Sequence, residues 1–139
     1  MSLLKISKNL SLMEENIKET FVVDASIVLA FLLQEKNDQA NKILKKYRDE
    51  EIHLISPMLL KFEVGNSLRT AILRKRISQI KAEALYNAFL ELDIVEEKID
   101  HIKVLKLALS KKISFYDASY LYLALSNHIR LLTLDNSLK

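Results

Sequence analysis

At 139 residues, 50% of them hydrophobic, the chain suits one domain with one buried core. It has no cysteine, which excludes a disulfide framework, a thiolate metal site and a thiol nucleophile, and fits a reducing, cytoplasmic setting. A formal charge of +3 permits nucleic-acid binding without demanding it, and no apolar run approaches the roughly 20 residues that span a bilayer.

Residues 1–19 are polar, with apolar residues at Leu10, Met13 and Ile17, and read as an N-terminal arm or short helix ahead of a domain over 20–139. They lack the continuous apolar region of a signal peptide. Phe21-Val22-Val23 is apolar on consecutive positions, as in a buried parallel strand. Asp24 ends it, and Ser26 is placed to cap a helix over Ile27–Leu33. Asp38–Arg48 has Ala40, Ile43, Leu44 and Tyr47 at helical spacing. Ile52–Ile55 predicts a second strand, and Ser56-Pro57 a helix start running to about Arg74. A further helix is expected from Ser78 to about Leu90, then a short strand at Ile94–Val95. Helices over Ile99–Leu109 and Tyr116–Ser126 and a fourth strand at Leu131–Leu134 complete the order. Strands alternating with helices imply an α/β fold, a central parallel sheet covered on both faces. One Gly and one Pro imply short, stiff connections, and the Ile, Leu and Lys content hints at a heat-adapted source.

Four carboxylates stand in short, largely apolar frames: Asp24 after Val22-Val23, Glu63 in Phe62-Glu63-Val64, Asp117 in Phe115-Tyr116-Asp117-Ala118, and Asp135 after Leu132-Thr133-Leu134. Such acids are costly to desolvate unless compensated, and several together repel; a divalent cation relieves both penalties. Asp24 and Asp135 fall at the carboxyl ends of predicted strands, the edge where open α/β sheets build sites. Asp117 falls in the first turn of its helix, where the dipole favours a negative charge.

In these stretches the chain resembles the PIN-domain family, most closely its VapC-type toxins. The likeness runs from Phe21 to Leu138 and rests on four pieces in order. They are Val22-Val23-Asp24-Ala25-Ser26; Ser56-Pro57 with Glu63 and Asn66-Ser67-Leu68; Tyr116-Asp117-Ala118-Ser119-Tyr120 with Ala124-Leu125; and Leu132-Thr133-Leu134-Asp135. It implies a three-layer α/β/α domain and a metal-dependent endoribonuclease. Asp24, Glu63 and Asp117, with Asp135, would ligate Mg²⁺ or Mn²⁺, and Ser26 would support them. It also implies an RNA substrate, a cognate antitoxin and a homodimer, for which the apolar faces around Leu29–Leu33 and Leu59–Leu68 offer contact surfaces. Two features depart from the family's pattern: the arm before Phe21 is longer than usual, and the sequence ends at Lys139 where members usually continue into another strand.

Each residue also has a plainer role open to it. Asp24 could cap the next helix, Glu63 could be an exposed helix acid, Asp117 could be held by the dipole alone, and Asp135-Asn136 is turn chemistry. Ser26 reads equally as a cap and as a support of the site. Gly65 inside a predicted helix points to a close helix contact. Arg69, Arg74, Lys75 and Arg76 read as a solvated face, the tyrosines at 116, 120 and 122 as packing, and the three histidines have no ligand spacing. No Gly-rich phosphate loop is present. Two other functions compete with the toxin: a free-standing PIN-like RNA-processing nuclease, and a non-catalytic module that keeps the fold.

Overall fold

A computed structural model of the chain describes residues 2–6 and 17–139. Residues 3–6 form one exposed helical turn; residues 7–16 of the predicted arm, with Leu10 and Met13, lie outside the described residues, and its last residue, Glu19, already belongs to β1. From Glu19 the order is β1 (Glu19–Val23), α1 (Ala25–Leu32), α2 (Asp38–Arg48), β2 (Ile52–Ser56), α3 (Leu59–Leu73) and α4 (Gln79–Glu91). It continues with β3 (Val95–Glu96), α5 (His101–Lys111), α6 (Phe115–Asn127), β4 (Arg130–Leu132) and a 3₁₀ turn over Asn136–Leu138.

All strand pairs are parallel, in the order β3-β2-β1-β4. Phe21 faces Leu54 on one side and Arg130 on the other, and Val23 faces Leu132. The chain therefore leaves β1 toward β2 on one side and returns to β4 on the other. The β1/β4 gap is the switch point of the sheet, where connections diverge and open a crevice at the strands' carboxyl ends. Helices cover both faces, giving the three-layer α/β/α arrangement, and so β1 buries Phe21, Val22 and Val23 in succession. Val22 and Val23 join Ile27, Val28, Leu54, Leu60, Val64, Tyr120 and Leu123 in the main core. A smaller cluster of Val104, Ala108 and Ala118 fastens α5 to α6.

Two predicted helix starts are corrected. The cap of α1 is Asp24, whose carboxylate accepts from the Ser26 and Ile27 amides; Ser26 is already inside the helix. Ser56 caps nothing: it is the buried last residue of β2, and its carbonyl accepts from the Glu97 amide. Helix α3 starts at Leu59, after Met58, with no side-chain cap. Ser78, Asp100 and Ser114 do cap α4, α5 and α6.

With one glycine available, all six of these helices end through a left-handed residue of another type: Gln34, Glu50, Lys75, Asp93, Lys112 and His128. The glycine itself sits where no such freedom is needed. A β-carbon at Gly65 would lie 3.6 Å from the Tyr86 ring, an ordinary contact. Gly65 is thus beside a helix contact, as its position predicts, but the contact does not require it. Gly65→Ala should stabilise the fold by about 0.5–1 kcal/mol, since alanine loses less backbone freedom on helix formation. A denaturant melt with unchanged m-value checks this.

Candidate metal centre

Asp24 follows directly on β1, and its own amide still donates to Leu132 of β4, at 3.2 Å. It is 7% exposed. Its Oδ1 accepts from the Ser26 amide (3.0 Å), the Ser26 hydroxyl (2.5 Å) and the Ile27 amide (3.5 Å). Burial pushes this carboxyl above the ordinary carboxylate range, and these donors, with the Thr133 hydroxyl, offset part of that push. Ser26 also reaches across the sheet. Its hydroxyl accepts from the Leu134 amide at 2.9 Å, joining the chain after β1 to the chain after β4.

Glu63 projects from the second turn of α3 and is half-buried. Its Oε1 accepts from the Tyr120 hydroxyl of α6 at 2.5 Å. Burial raises the Glu63 carboxyl, the tyrosine bond works against the rise, and the charges of Asp24 and Asp117 add to it. Tyr120 is buried, and burial followed by the bond to Glu63 drives its phenol far above ordinary titration, so it stays a donor. Asp117 lies in the first turn of α6, half-buried, and its amide is capped by the Ser114 hydroxyl at 3.0 Å.

Asp135 sits beyond β4 at the same sheet edge but is exposed. Its Oδ1 accepts from the Ser137 amide (2.9 Å) and hydroxyl (2.7 Å), and these bonds hold it below the usual carboxylate value. Its amide donates to the buried Thr133 hydroxyl oxygen at 3.0 Å. Asp24 and Asp117 thus both press on the Glu63 carboxyl, while Asp135 is held in its own exposed turn by Ser137.

Tyr120 and Thr133 are the neighbours of these acids that sequence reasoning missed. Tyr120 reads as a packing residue, which it is; the signal for more is its place three residues after Asp117, on the same side of a helix. Thr133 carries a signal too, a hydroxyl within a strand-end run two residues before an acid.

Among the described residues the ion pairs are Lys45–Asp49 and Lys61–Glu96, so none neutralises the three acids. Nor do any three His, Asp or Glu side chains among them stand close enough to clasp an ion as placed. Mutual repulsion opposes such closure, and a cation reverses its sign. The donors suit a small hard cation: carboxylate oxygens, partly desolvated, with no competing base. An apolar groove of about 600 Å³ runs along the helices that carry Glu63 and Asp117, lined by Met58, Phe62, Phe115 and Tyr116. A larger cavity of about 1120 Å³ lies at the amino ends of β1 and β2, beside Lys18, Ile52 and His53, with none of the three acids in its lining.

This fold, with acids at the carboxyl edge of its switch point, has a family. A model of the PIN domain matches residues 21–139, and the chain belongs to the PIN domain family. Over 126 residues it is 32% identical to Ribonuclease VapC3 of Pyrobaculum aerophilum, spanning 84% of this chain and 90% of that protein. It also superposes on the crystal structure of PAE2754 from Pyrobaculum aerophilum with a TM-score of 0.70 at 28% identity, covering 88% of this chain and 85% of that one. No described helix is long and apolar enough to cross a membrane.

Proposed function

We propose that the chain is a Mg²⁺- or Mn²⁺-dependent endoribonuclease, the toxin of a toxin–antitoxin pair acting in the cytoplasm. What supports this is that Asp24 stands at the carboxyl edge of the β1/β4 switch point, that Tyr120 of the Asp117 helix holds Glu63, and that neither ion pair among the described residues involves any of the three acids. The name of the relative Ribonuclease VapC3 supports the substrate class. Asp24, Glu63 and Asp117 would hold the ion, with Asp135 contributing from the rim. When bound, the ion supplies a more acidic water and neutralises charge developing on the phosphate.

The remaining work falls to the protein. Ser26 fixes Asp24 and the strand ends, and Tyr120 fixes Glu63. The apolar groove beside them accommodates an antitoxin segment or the second subunit of a homodimer. The test is cleavage of a panel of single-stranded and structured RNAs in Mg²⁺ and Mn²⁺, with EDTA and Asp117→Asn as controls. Cleavage should vanish in both controls. A folded protein that binds Mn²⁺ and cuts nothing would replace the enzyme with a non-catalytic module of the same fold.

A further inference from the structure

The chain has five phenylalanines and five tyrosines, all among the described residues, and three of the ten are exposed: Phe62 (66%), Phe115 (37%) and Tyr116 (60%). All three line the one apolar groove of about 600 Å³. Phe62 directly precedes Glu63, and Tyr116 directly precedes Asp117, so this groove runs beside two of the acids. The Phe115 ring already stacks on His101, with centroids 6.4 Å apart and planes 21° from parallel. Phe62 and Tyr116 have no aromatic or cationic partner among the described residues. The packing role that the sequence suggests for Tyr116 therefore does not hold.

The first residues of three helices also line the groove: Leu59 of α3, His101 of α5 and Phe115 of α6. Their amino ends bring partial positive charge to its rim. Of the two glutamates there, Glu96 is taken by Lys61 at 2.8 Å, and Glu97 offsets Lys98. Free aromatic faces inside a mildly positive rim match the two parts of an unpaired nucleotide, a flat base that stacks and a phosphate that is negative. In a duplex the base faces are already covered by their neighbours. We propose, building on the ribonuclease reading above, that Phe62 and Tyr116 form a base-stacking platform that holds an unpaired nucleotide of the RNA and positions its neighbouring phosphodiester at the acids. A protein segment seated in the same groove would cover the platform and exclude RNA by occupancy alone.

The probe is a single-stranded oligouridine carrying one 2-aminopurine, whose fluorescence is quenched when that base stacks. It is titrated with the full chain in EDTA, so that binding is read without cleavage. The wild type should quench the probe and bind it about tenfold tighter than the same strand in a duplex. Phe62→Leu and Tyr116→Leu keep apolar bulk and remove the ring. Each, shown folded by its melting transition, should lose the quenching and about tenfold in affinity, whereas Tyr116→Phe should keep both. Leucine variants that bind and quench like the wild type would overturn the platform and leave the groove to a protein partner. Cleavage of the same strand in Mg²⁺ tests the ribonuclease reading separately. Cleavage by a wild type that gives no quenching would overturn the platform alone, and a chain that neither binds nor cuts RNA would overturn both.

Discussion

Replacing Glu63 with glutamine should reduce RNA cleavage about 10³-fold while raising the melting temperature of the metal-free protein by about 3 °C at neutral pH. The two effects have one cause. Burial, then the charges of Asp24 and Asp117, raise the Glu63 carboxyl above its ordinary value of 4.5. A carboxyl raised on folding binds its proton more tightly in the native state than in the unfolded one. Its contribution is therefore neutral below the ordinary value and becomes a penalty as pH rises through the raised one. The penalty grows as pH rises toward neutrality. Glutamine removes it and still accepts from Tyr120. Because Glu63 is half-exposed, water screens the field, and the gain is about 1 kcal/mol rather than the full shift. Melts of both proteins in EDTA from neutral pH to below the ordinary carboxylate value check the sign: the advantage of glutamine should shrink on acidification. A glutamine variant less stable than wild type at neutral pH would mean that the acids do not strain the metal-free fold.

The same acids show how far a sequence can be read. The end of β1 was legible because an apolar run broken by Asp is a local pattern, and the alternation of strands and helices implied a parallel sheet; β4 was expected to run to Leu134 but ends at Leu132. The order β3-β2-β1-β4 was not legible, since it depends on pairings between segments far apart in sequence. Helix starts failed where two side chains could do the same job. Asp24 and Ser26 are both good caps, and the choice between them falls to the register of α1 against the sheet. Ser56-Pro57 has the composition of a helix start, but Ser56 is held in β2 by pairing with Glu96 of β3. Asp135 shares the apolar frame of the other acids, yet its exposure follows from a turn that Ser137 stabilises, which the frame does not encode. Tyr120 could not be separated from ordinary core tyrosines until the fold brought its hydroxyl to Glu63 of α3.

Ser26→Ala should cost about 1–3 kcal/mol of stability and about 10–100-fold in metal-supported cleavage, although the residue is absent from the acid set. Its hydroxyl is the one group that donates to Asp24 Oδ1 while accepting from the Leu134 amide, a link between positions 108 apart in sequence. Alanine leaves that amide part-buried without its acceptor, and an orphaned donor costs its full desolvation rather than the modest net value of a hydrogen bond. Alanine also leaves Asp24 with only backbone donors on Oδ1 among those of its own helix, so the carboxylate loses orientation as well as charge stabilisation. Ser26→Thr retains the hydroxyl and should recover most of both losses. Stability comes from denaturant melts and site function from Mn²⁺ affinity alongside cleavage. If alanine lowers stability but leaves Mn²⁺ affinity and cleavage at wild-type levels, the bridge holds the strands alone and Asp24 is oriented by the amides of α1. If all three fall together and threonine restores them, the bond that closes the β1/β4 gap is also the bond that aims the first acid, and the switch point of the sheet and its chemistry are built by the same hydroxyl.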